Sequence, residues 1–282
     1  MLASMPQALR VGGPAILALA IVAAPATIAP SLDEKEIEAT LDQLKEGVAD
    51  EDYKAISEAL QRLDTQYPEL TKRDLKKVVK LVKAVFSKVR PPKELPGSVV
   101  QIGPVDPFEE IAVEDEARGE VLAMYRMAVG LMFDRPQGAD VLLPTLKLDH
   151  IETWPEMQMV ILQGLGFRSD PELTKLFAGY LEHDDPYIAG TAAESLGQLA
   201  GKPLEVRRTA VELIIDEYDD AAAAAKKEAR KIREDDPTPM ADRLAIIWVS
   251  FNEGLKALTG EGHDGPAAWH DWFAENGKGE DW

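Results

Sequence analysis

An apolar pattern recurs at a spacing of 31 residues in the middle of the chain, and it restricts the fold more than any other feature. Leu142 and Leu146 are matched by Leu173 and Phe177, Pro155 by Pro186, and Leu165-Gly166 by Leu196-Gly197. Each unit reads as two short helices joined by a turn. A fixed period of this size predicts stacked helix hairpins, each burying its apolar face against its neighbours. The first hairpin is expected over residues 139–148 and 155–166, and the second over 171–182 and 186–200. A third opens at Pro203, a good first-turn residue, and carries Val206, Ala210, Leu213 and Ile214. Its register breaks after Tyr218, where an Ala-, Lys- and Glu-rich stretch at 221–233 favours helix. Leu244, Ile247, Trp248, Phe251, Leu255 and Leu258 form one more amphipathic face.

Upstream of the repeat the pattern stays helical without the period. Ser31 with Glu34 reads as a capping box ahead of Ile37, Leu41, Leu44 and Val48. Tyr53, Ile56, Leu60, Leu63 and Tyr67 mark a second helix. Thr71 with Asp74 opens a third, whose apolar face holds Val78, Val82, Val85 and Phe86. Five prolines and two glycines then crowd residues 91–107, which reads as a linker or loop. Residues 108–133 read as one long helix leading into the hairpins. No strand pattern competes, so an all-α chain of nine or ten helices is expected. The organisation predicted is a signal at 1–26, a helical segment at 27–90, a proline-rich loop at 91–107, helical repeats at 108–260 and a C-terminal cap at 261–282.

The first residues predict export. Arg10 is the only charge among the first 32 residues, residues 11–24 are small or aliphatic, and Ala24-Pro25-Ala26 suits a signal peptidase cutting before Thr27. The competing reading is an uncleaved anchor, although Gly12, Gly13, Pro14 and Pro25 weaken a spanning helix. With no cysteine, disulfides, thiol catalysis and thiolate metal sites are excluded. The net charge of -19 opposes unspecific nucleic-acid binding.

Asp184-Asp185-Pro186-Tyr187-Ile188-Ala189, followed by Ala192-Ala193-Glu194-Ser195-Leu196-Gly197, resembles the turn and second helix of a HEAT repeat. The resemblance covers residues 139–218 and thins out towards 260. It implies an α-solenoid of antiparallel helix hairpins that binds proteins, with the second helices, 155–166 and 186–200, on its inner side. Leu258-Thr259-Gly260, then Gly265, Trp269, Trp272 and Asn276, resembles a tail that follows helical repeats in exported bacterial proteins of unassigned role.

Two clusters compete as functional sites. Lys72, Lys76, Lys80 and Lys83 fall on one stripe of a helix in an otherwise acidic chain. They read either as a docking strip for an acidic partner, anionic polymer or membrane surface, or as cations neutralised by the acidic helix at 33–52. Trp269, Trp272 and Phe273, with His263 and His270 nearby, read either as an aromatic binding site or as a cap covering the last hairpin. His183-Asp184-Asp185 contains metal-ligating residue types, but adjacent residues rarely aim at one centre. No phosphate loop, serine elbow or zinc-protease helix is present, and no cofactor or metal is expected. The expectation is a non-catalytic protein-binding or scaffold protein of the bacterial envelope, with another protein as partner, no nucleic acid and no membrane span after signal cleavage.

Overall fold

The computed structural model describes residues 34–90, 116–231, 237–279 and Trp282. The predicted signal and the proline-rich loop lie outside the described residues. Every regular element among the described residues is helical. The N-terminal helices are α1 (Glu34–Asp50), α2 (Tyr53–Gln66) and α3 (Lys72–Lys88). Then come α4 (Glu116–Met132), α5 (Gly138–Thr145), the single turn α6 (Asp149–Glu152) and α7 (Pro155–Gly166). The chain continues through α8 (Thr174–Leu181), α9 (Pro186–Gly197), α10 (Leu204–Ala229), α11 (Pro239–Thr259) and α12 (Pro266–Asn276). No helix among the described residues is long and apolar enough to cross a membrane.

Local chemistry sets many of the boundaries. Asp52 starts α2 by accepting from the Ala55 amide at 3.0 Å. Thr71 starts α3 by accepting from the Asp74 amide at 3.2 Å, and its hydroxyl donates to the Asp74 carboxylate at 2.5 Å. Both replace a partner missing from a first helical turn. Asp185 does the same for α9, accepting from Tyr187 and Ile188. Gly260, at φ +79°, closes α11 in the left-handed region that glycine enters without a steric penalty. The helix-forming stretch after Tyr218 continues the third hairpin's helix, because nothing from Leu204 to Ala229 breaks it, and α10 runs for 26 residues. The twelve α-helices among the described residues exceed the nine or ten expected, partly because the 31-residue period conceals the one-turn α6 between α5 and α7.

Neighbouring packing is regular. α2 lies against α4, α4 against α7, α7 against α9, and α9 against α11. On the other side, α3 meets α5, α8 meets α10, and α10 meets α12. One buried apolar cluster extends from Ile37 to Trp269 and passes across the expected boundary at 91–107. The bridge is concrete. Phe86 of α3, Tyr125 of α4 and Trp154 form a chain of rings with centroids 5.3 and 5.8 Å apart, and the buried Tyr125 hydroxyl donates to the Val89 carbonyl. Arg135 stacks its guanidinium 4.0 Å from the Tyr67 ring centroid and reaches Asp64 at 3.2 Å.

Arginines fasten successive hairpins through backbone carbonyls. Arg168, just after α7, donates to Phe133 at 2.8 Å and Arg135 at 2.7 Å, in the turn before α5. Arg243 of α11 donates to Leu181, His183 and Asp184 in the turn between α8 and α9, and pairs with Glu217 of α10 at 3.3 Å. Such charge-assisted bonds satisfy carbonyls that a helix end leaves without partners.

Candidate functional site

The α9–α11 contact is built from small residues. A Cβ on Gly254 of α11 would sit 2.6 Å from the Ala193 carbonyl oxygen, and one on Gly197 would sit 3.1 Å from the Gly254 Cα. One on Gly190 would meet Ser250 at 3.0 Å. Here the two backbones nearly touch. The second helix of the hairpin, α9, is consequently almost wholly buried. That differs from the expected exposed inner face at 186–200: small residues bring neighbours so close that little of the helix remains free.

The α4–α7 contact is looser. Arg126, Val129, Gly130 and Phe133 make an i, i+3, i+4, i+7 stripe along α4 and the residue after it, while Val160, Gln163, Gly164 and Phe167 make the same stripe along α7 and the residue after it. Between them lies a groove of about 450 Å³. Gly164 is packed, since a Cβ there would stand 2.4 Å from Val129 Cγ1. Gly130 is not: a Cβ there meets nothing within 4 Å, so its missing side chain leaves the groove open. The contacts advance from Val129 opposite Gly164 to Phe133 opposite Phe167, with those last rings edge to face at 5.9 Å. The two helices therefore run in the same direction. Burial pulls the Arg126 guanidinium below its usual range, and its Nε is shielded from water with no hydrogen-bond partner among the described residues.

Sequence reading did not find this groove. Gly164-Leu165-Gly166 reads as the small-residue end of a repeat helix, and nothing in the period says that Gly164 faces Val129. The nearest available signal was the matching i, i+3, i+4, i+7 spacing around Gly130 and Gly164.

Lys72, Lys76, Lys80 and Lys83 are all exposed on α3. Neutralisation by α1 reaches only their neighbour: Lys77 lies 3.9 Å from Glu38 and 3.6 Å from Asp74. None of the four pairs with an acid among the described residues.

The C-terminal aromatics are drawn together. Trp269 is fully buried, and its Nε1 donates to Asn252 at 2.7 Å. Asn252 in turn donates to the Tyr218 hydroxyl at 3.2 Å. Trp272 and Phe273 are half-buried and pack against Trp282, with ring centroids 5.4 and 6.4 Å away. Arg207 holds Trp282 in place by donating to its carbonyl and to that of Leu258. His263 stands against Trp269, with centroids 4.7 Å apart, and against Trp272 at 5.7 Å. His270 points elsewhere and meets Asp219 at 2.6 Å on the surface. That hydrogen bond raises the His270 pKa. The two histidines thus have separate environments.

His183 is likewise occupied locally. Its Nδ1 accepts from the Asp185 amide at 3.0 Å while its ring stacks on Tyr180. Among the described residues, no three histidine or acid side chains converge to hold a metal ion. Comparison with known proteins returns nothing: no family model, no curated protein and no solved structure matches the chain.

Proposed function

We propose that this chain is a non-catalytic protein-binding or scaffold protein, an exported HEAT-like solenoid that presents one row of helices to its partner. The observation that supports this reading is where large apolar side chains remain exposed. Met127 is 42 % exposed on α4, Phe167 44 % at the end of α7, and Met240 and Val249 40 % and 53 % on α11. All four belong to the row of α4, α7, α9 and α11. Exposed apolar groups grouped on one layer suit contact with another macromolecule. In this reading α12, with Trp269, Trp272 and Phe273, covers the last hairpin and binds nothing.

The test is affinity capture from an envelope extract of the source organism, using the chain without residues 1–26. A Met127→Glu/Val249→Glu variant that remains folded should lose the captured protein. Undiminished capture by that variant overturns the reading.

The free lysines of α3 favour a second reading, in which Lys72, Lys76, Lys80 and Lys83 hold an anionic polymer or membrane surface. Changing all four to Gln should then abolish capture, and binding should weaken steeply with salt because exposed charges are screened. A scaffold that binds through its apolar row keeps its partner in the Gln variant.

A further inference from the structure

We propose that the groove between α4 and α7 binds a small amphiphilic carboxylate, with the apolar body lying between the two helices and the anionic head on Arg126. Volume supports a small ligand. About 450 Å³ falls within the range of pockets that take one small molecule. Length supports it too. The lining stripe spans seven residue steps along each helix, about 10 Å at the rise of an α-helix, and the Phe133–Phe167 ring pair borders its far end. That is room for a medium-chain acyl or aryl group and too little for a longer helical segment.

Charge selects the head group. Among the described residues of the lining, Arg126 is the only ionisable one and Gln163 the only other polar side chain. In a chain of net charge -19, a half-buried guanidinium with no acid beside it in the described lining is conspicuous. The shielded Nε lacks an acceptor, and a ligand carboxylate would supply both that acceptor and the opposite charge. Gly130 opens the apolar part, because any larger residue there would project into the space the ligand needs. The proposal does not depend on a protein partner.

Isothermal titration of the full chain tests it, using decanoate, decanol and decylamine below their micelle-forming concentrations. Decanoate should bind one per chain, and at least about tenfold more tightly than decanol or decylamine, the margin expected of a charge-assisted hydrogen bond. Arg126→Met should reduce decanoate to the decanol level and leave decanol unchanged. Gly130→Leu, whose Cβ enters open space, should fill the groove and abolish binding of both while the thermal transition is retained. Absence of decanoate binding to the unaltered chain overturns the proposal. So does equal affinity for decanoate and decanol, or decanoate binding that survives Gly130→Leu.

Discussion

The α9–α11 and α4–α7 contacts place glycines on facing helices and reach opposite results. At α9–α11, Gly190, Gly197 and Gly254 let the backbones approach until a single methyl group would collide with a carbonyl. At α4–α7, Gly164 performs a similar service, but Gly130 opposite it faces empty space. The first contact is sealed and the second is open. A small residue therefore means close packing only when the partner helix supplies something to meet it.

Four substitutions would break or sharpen that contrast. Gly254→Leu should be the most damaging, costing about 3 kcal/mol because neither the Ala193 carbonyl nor the fully packed α9 has room to yield. A denaturation midpoint close to that of the unaltered chain would mean the seam is looser than drawn. Gly164→Ala should cost about 1–2 kcal/mol, since the stiff, β-branched Val129 has to give way. Gly130→Ala should act in the opposite direction and stabilise by about 0.5–1 kcal/mol, by helix propensity alone. Loss of stability there would show that the groove is tighter than its geometry implies.

The smallest effect concerns Glu194, which lies in the sealed contact and accepts from the Ser250 hydroxyl at 2.7 Å. Burial raises its pKa above the ordinary 4.5, against the lowering effect of that hydrogen bond. Its contribution to stability is therefore most favourable in acid, where both folded and unfolded forms are protonated. It declines as pH rises from the ordinary glutamate value through the raised folded one. Glu194→Gln keeps an acceptor for Ser250 and avoids the buried charge. It should melt slightly higher than the unaltered chain at pH 7, and the gap should close below pH 4.5. A gap independent of pH would assign the effect to packing instead.

Much of this architecture was legible in the chain. The 31-residue period located α5, α7, α8 and α9 closely, because apolar spacing and proline positions are local signals. The close approach at α9 was also legible, since Ala192, Ala193 and Gly197 are small and share a helix. The groove was not. Arg126 and Gly130 become part of a site only when Val160 and Gln163, 30 or more residues away, are brought opposite them, and residue type does not fix which stripes face. The lysine stripe was visible as a stripe, but whether α1 neutralised it depended on side-chain reach: Lys77 approaches Glu38, and Lys72, Lys76, Lys80 and Lys83 pair with no acid among the described residues.

Arg168 and Arg243 bear on the order in which the chain acquires its structure. The carbonyls of Phe133 and Arg135 find their guanidinium about one hairpin later in the sequence, and those of Leu181, His183 and Asp184 wait for a residue some 60 positions downstream. During synthesis each turn stays incomplete until the following part of the chain has emerged. The molecule should therefore assemble from its N-terminal side with a lag. Nascent chains whose emerged part ends before Arg168 should leave the turn at 133–135 open to proteases, and chains long enough to bring Arg168 out of the ribosome should protect it.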